Sequence, residues 1–241
     1  MTETASRKEF RGIRMLLLGF CAVAALVLFL CADASARLPA NLGVPLEGEE
    51  RAAAIARNSP MTEYVCLSPN ADFPRGGPIR KITIHHMAGD LELEALGGFF
   101  SNRDRRSSAN YGIDSAGRVA LYVEEANRAW ASSSRENDAQ AVVIEVANDE
   151  IGGEWHVSDA AYDSLLALCE DICRRNGIPE LRFTGDADGS LTIHKMFAET
   201  ECPGPYLESR MEEIARTVTE RLRTPPDGAS AGETNPPLAS G

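Results

Sequence analysis

The chain has only four histidines, His85, His86, His156 and His194. His85 and His86 end an apolar alternating stretch, Ile79 to Met87, that reads as a β-strand with Ile82 and Ile84 on one face. Neighbouring strand side chains point to opposite faces, so only one of the two imidazoles can enter a given cleft. His194 is followed eight residues later by Cys202, which sits between an acidic stretch and Pro203-Gly204-Pro205 and so belongs to a loop. Two imidazoles and one thiolate are a borderline-soft donor set suited to zinc, and three protein ligands leave a fourth position for water. One thiolate on a dication leaves a net positive charge, enough to acidify bound water toward neutrality. Spacing alone leaves other readings open. A histidine ending a strand is more often structural than a ligand. A lone exported cysteine is more often half of a disulfide, and a Cys202–His194 pair also has the composition of a thiol nucleophile with its base.

The elements that must position these residues follow from periodicity. Leu91 to Asn102 suits a short helix. Tyr111-Gly-Ile and Arg118 to Val123 flank Asp114-Ser-Ala-Gly117, which has the turn chemistry of a hairpin. Gln140 to Ala147 is nearly continuously apolar, the pattern of a central strand covered on both faces, with Glu145 as its one charge. Ser158 caps a helix whose apolar positions Ala161, Leu165, Leu168, Cys169 and Ile172 recur at helical spacing, and Asn176-Gly177 ends it. Leu207 to Leu222 reads as one last amphipathic helix. Strands mixed with helices predict an α/β or α+β fold with a mixed central β-sheet flanked by helices.

Outside this unit the composition changes. Arg7, Lys8, Arg11 and Arg14 precede an uncharged apolar run, Met15 to Ala32, and Ala34-Ser35-Ala36 has the spacing of a signal-peptidase site. Residues 1–36 are therefore expected to be a signal peptide or an uncleaved membrane anchor. The protein is then secreted or held at the extracytoplasmic membrane face through residues 15–32. Residues 37–60 read as a proline-containing spacer with room for a short helix. Residues 224–241 hold almost nothing large and apolar, so disorder is expected there. The folded domain is expected over 61–223. The formal charge of −12 argues against nucleic acid, which is gripped by clustered Lys and Arg. In an exported chain Cys66 is expected to pair with Cys169 or Cys173, unless those two are simply buried apolar side chains of a helix.

Taken together, Ile82-Thr-Ile-His-His86, Ser108-Ala-Asn-Tyr-Gly-Ile113, Arg128-Ala-Trp130, Val143-Ile-Glu-Val-Ala-Asn148, His194 and Thr200-Glu-Cys-Pro-Gly-Pro205 resemble the zinc-dependent N-acetylmuramoyl-L-alanine amidases of type 2. That family includes phage endolysins and peptidoglycan recognition proteins. The resemblance spans residues 79–206 and implies a groove for a glycan-linked peptide, with peptidoglycan as the partner. It places a Zn²⁺ ion on His85, His194 and Cys202. Tyr111 matches the family's catalytic tyrosine. Glu145 matches a carboxylate that acts as base or orients water, and Thr200 a position that is Lys or Thr in different branches. The implied reaction is hydrolysis of the amide between N-acetylmuramic acid and L-alanine. The alternative is a peptidoglycan-binding module of the same fold that does not cut; relatives of that kind lack the metal cysteine, which this chain keeps. His86 is expected to be structural, His156 a surface residue, and Trp130 either a groove wall or a core residue.

Overall fold

The computed structural model describes residues 42–224. The expected signal or anchor over 1–36 and the expected tail, apart from its first residue Thr224, lie outside the described residues. No helix among the described residues is long and apolar enough to cross a membrane.

Six strands form one mixed sheet: β1 (Thr62–Val65), β3 (Lys81–His86), β4 (Tyr111–Ile113), β5 (Val119–Leu121), β7 (Ala141–Val146) and β8 (Leu191–Ile193), in the order β1-β5-β4-β7-β3-β8. Only the β4–β5 hairpin is antiparallel; the other pairings are parallel. A separate two-stranded ribbon pairs β2 (Ala71–Asp72) with β6 (Arg128–Ala129). The hairpin turns where expected, with Asp114 Oδ1 accepting from the backbone N–H groups of Ala116 and Arg118. Gly117 has φ +82°, and a side chain there would meet the Ala160 carbonyl at 2.7 Å, so the turn requires glycine twice over.

Two chemically different faces result. Ile82, Ile84, Val142, Ile144, Val146, Leu191 and Ile193 form the large core with α4 (Asp159–Asn176) and α6 (Met211–Arg223). Ser158 Oγ caps α4 by accepting from Ala161 N at 3.1 Å, and Gly177 ends it at φ +65°. The opposite face meets α2 (Leu93–Ser101) through Val143, Ala120, Leu96 and Phe100. On that face Thr83 Oγ1 is bonded to Thr192 Oγ1 (2.9 Å) and to Asn137 Nδ2 (2.9 Å) of α3 (Arg135–Gln140).

Three expectations are corrected. The stretch expected as a spacer does carry the short helix it had room for, α1 (Gly48–Ala56), but Leu46 and Ala54 are buried in the main core, so the folded unit starts before residue 61. The final helix is two: α5 (Gly204–Glu208) stops before Ser209-Arg210, where the Arg210 guanidinium lies 3.7 Å from the Tyr206 ring centroid, and α6 follows. All four described cysteines are free thiols. Cys66 belongs to the cluster under α2, whereas Cys169 and Cys173 face the main core, so the sheet separates the expected partners. The two helical cysteines serve as small apolar side chains.

Without a disulfide in the domain, a reductant should leave the thermal unfolding midpoint of the purified protein unchanged. Loss of a native disulfide would instead lower it by roughly 4–20 °C.

Candidate metal centre

Three adjacent parallel strands end together at one edge of the sheet. His85 pairs in register with Glu145 across β3 and β7. His194 directly follows the Ile84–Ile193 pair of β3 and β8. In each strand the residue before the polar one is a core isoleucine, Ile84, Ile144 or Ile193. Alternation therefore turns His85, Glu145 and His194 to the other face. Open sheets of this kind place ligands at the carboxyl ends of parallel strands.

Cys202 reaches the same place from a loop. Its Sγ accepts from the backbone N–H of His86 at 3.4 Å. Its N–H donates to Thr200 Oγ1 (3.2 Å), and its carbonyl accepts from Lys195 N (3.2 Å), in the turn that begins with His194. One donor atom each from His85, His194 and Cys202 lies within 4.8 Å of the others. The two imidazole rings stand 4.4 Å apart, centroid to centroid.

These groups suit a divalent cation. Nε2 of His85 and Nε2 of His194 are both buried without a protein partner, as is Glu145 Oε2. Burial holds the His85 imidazole well below its ordinary pKa, reinforced by His194, and burial lowers His194 as well. Both imidazoles are thus neutral, the state that ligates a metal. Burial also raises the Cys202 thiol and pushes the Glu145 carboxyl up to about 8. A pocket that resists net negative charge while holding soft donors is one that a cation completes.

The centre lies in a groove of about 350 Å³, which Thr200 and Trp130 also line. Trp130 is held by its Nε1–H, which donates to Asp72 Oδ1 at 2.9 Å, and so is a groove wall. Leu91, Leu96, Phe99 and Phe100 form an apolar wall that sequence reasoning missed. The sequence showed those residues only as one helix. Glu145 Oε1 is 3.7 Å from His85 Nδ1, beyond hydrogen-bond length. His156 is paired with Asp149 at 2.6 Å and does not line the groove.

Tyr111, expected to be catalytic, is elsewhere. Its side chain is 0% exposed and packs in the main core on the α4 side, paired with Ile144 rather than beside Glu145. The phenol donates to Glu125 Oε1 (2.6 Å) and accepts from Ser59 N (3.0 Å). Glu125 also binds Arg175 and Asn176. Tyr111 is a structural support, and among the described residues no tyrosine lines the groove.

The chain belongs to the N-acetylmuramoyl-L-alanine amidase family, whose sequence model matches residues 75–205, more than half of its length. Among solved structures it is similar to the endolysin amidase LysCS of Clostridium intestinale, at 19% identity and TM-score 0.44, over 61% of this chain and 86% of that one. It is also similar to AmpD, solved as a selenomethionine derivative, at 18% identity and TM-score 0.49, over 63% and 93% of the two chains. The Ph2119 endolysin from a Thermus scotoductus bacteriophage aligns at 20% identity and TM-score 0.43, over 59% and 88%. None of the curated proteins compared matches the chain.

Replacing Tyr111 with Phe should lower unfolding free energy by about 1–3 kcal/mol, because a buried carboxylate loses a donor. Zinc affinity should be unchanged, as judged by denaturant unfolding alongside a metal titration.

Proposed function

We propose that the protein is an exported, zinc-dependent hydrolase that cuts the amide between N-acetylmuramic acid and the L-alanine of the peptidoglycan stem peptide. One observation carries the reading: the donor atoms of His85, His194 and Cys202, far apart in sequence, lie within 4.8 Å of one another in the groove of an amidase-family chain. Zinc held by these three residues supplies Lewis acidity at the scissile carbonyl.

The remaining steps belong to the chain's own side chains. Thr200 lines the groove, and its Oγ1 accepts from Cys202 N, leaving its hydroxyl proton free for the oxyanion that forms when water adds to the carbonyl. Glu145 has one carboxylate oxygen without a partner. With a cation held beside it this carboxyl would stay ionised, and it would then take the proton from the attacking water and return it to the departing amine as the C–N bond breaks. Trp130 and the apolar wall around Phe99 give the sugar and peptide surfaces to lie against while excluding water. Retention of Cys202 favours cleavage over binding alone.

The basic start and apolar run of residues 1–36 support export, with the domain acting outside the cytoplasm. The acidic charge of −12 means that the wall polymer is recognised by groove shape and local contacts rather than by a general field.

Mass analysis of digested peptidoglycan tests the bond: free stem peptides beginning with L-alanine and intact glycan strands are expected, and new reducing sugar ends would overturn the assignment. Cys202→Ser should weaken zinc binding and abolish cleavage, because a hydroxyl is a poor soft-metal donor; full activity at wild-type metal content would contradict it. Glu145→Gln should keep stoichiometric zinc while slowing turnover about 10²–10⁴-fold. Metal analysis beside steady-state rates separates the two variants.

A further inference from the structure

His85 and His194 sit at strand ends, but Cys202 is on a loop, so something must fix the loop. The segment between β7 and α4, residues 149–157, packs against it. Glu154 O accepts from Tyr206 N at 2.9 Å, and the His156 ring meets the Tyr206 ring edge-on at 4.5 Å. Trp155 lies at the centre of this contact. Its indole meets the His86 imidazole edge-on, centroids 5.2 Å apart. A methyl group on Gly204 would lie 3.0 Å from Trp155 Cβ and 3.2 Å from His86 Cε1, so the Cys202 loop passes as close to both as a backbone can. Trp155 itself has φ +55°, a conformation that bulky residues keep only when their surroundings enforce it. The enforcing group is Asn148, fully buried, whose Nδ2 donates to Trp155 O at 2.8 Å. Finally, the backbone N–H of His86 donates to Cys202 Sγ.

We propose that Trp155 is a positioning residue for the metal-binding cysteine: packed on His86 and Gly204, it holds Cys202 Sγ in reach of His85 and His194. This rests on the metal reading above. The two histidines are placed by strand register, which leaves Cys202 as the ligand that depends on a clamp. Loosening the clamp therefore costs zinc retention before it costs the fold.

The test uses the full chain. Zinc dissociation constants are measured by competition with a chromophoric chelator, the thiolate-to-cobalt charge-transfer band is recorded on the Co²⁺ form, and thermal midpoints are taken with and without metal. Trp155→Ala should weaken zinc binding about 10–100-fold, the range typical of residues that orient a ligand, and should diminish the charge-transfer band. Trp155→Phe, which keeps an aromatic ring against His86, should stay close to wild type. Ile151→Ser, at a residue 65% exposed in the same segment, should change nothing. Wild-type zinc affinity and an undiminished band in Trp155→Ala overturn the proposal, even if the thermal midpoint falls, because a merely structural role lowers both midpoints equally. Should Trp155→Ala fail to fold, Trp155→Leu, which keeps apolar bulk but puts no ring against His86, must give the same loss; unaltered affinity there is equally fatal. A wild-type protein that binds no zinc sinks the metal centre itself, an outcome distinct from all of these.

Discussion

The parallel register of β7, β3 and β8 is the constraint on which the site depends. Ile82, Ile84, Val142, Ile144, Val146, Leu191 and Ile193 are buried on one face by α4 and α6. Strand period leaves Thr83, Thr192, His85, Glu145 and His194 no choice but the other face. A slip of one residue in any of the three strands would expose its apolar set and bury its polar set in the main core. Each fully buried aliphatic side chain contributes roughly 1.5–3 kcal/mol, so the correct register is strongly favoured before any ligand arrives. The hydrophobic effect on one side of the sheet thus selects the chemistry on the other.

Strand register can deliver side chains only at strand ends, and the remaining donor must come from outside the sheet. Cys202 does so on a loop tied to both histidines: to the His85–His86 strand end through His86 N–H and to the His194 turn through Lys195 N–H. Rigid elements place two imidazoles and a carboxylate, and a short anchored loop adds the thiol. The polar bonds of Thr83, Thr192 and Asn137 brace the floor between them.

Much of this was legible in the sequence, and the parts that were not share a cause. Helix α4, its cap, the hairpin and the strands ending at His86 and Val146 announce themselves through local period and turn chemistry. β8 and β1 are too short to show a period, with bounds of Leu191–Ile193 and Thr62–Val65, and exist because a neighbouring strand pairs with them. Tyr111 was misplaced because motif likeness fixes position along the chain, whereas the face a side chain takes depends on pairing. Tyr111 is opposite Ile144, not Glu145, and so points away from the groove. A bridge from Cys66 to Cys169 or Cys173 is a reasonable expectation from composition and compartment, which say nothing about the sheet that lies between them. The scarcity of histidines, four in the chain, left His85 or His86, His194 and Cys202 as one candidate donor set among several readings, and it was the resemblance to the amidases that singled out His85, His194 and Cys202.

Energetics gives an independent reason to expect a ligand. Of eight buried side-chain atoms without a protein partner among the described residues, three belong to His85, Glu145 and His194, side by side in the groove. Each such atom costs about 1–3 kcal/mol when left unsatisfied. Three together reach a sum that overlaps the whole stability of an ordinary domain, about 5–15 kcal/mol. A fold can carry that concentration of unmet polar groups only if something fills the groove, whether ordered solvent or a cation on the imidazoles. Solvent can satisfy the carboxyl oxygen. Two neutral imidazoles and a thiol facing one point are better satisfied by an ion, which ligates all three at once and also removes the reason for the Cys202 thiol and the Glu145 carboxyl to stay protonated. Ion binding and stability are then coupled: whatever holds the cysteine in place also determines how much of the ion's binding energy reaches the fold.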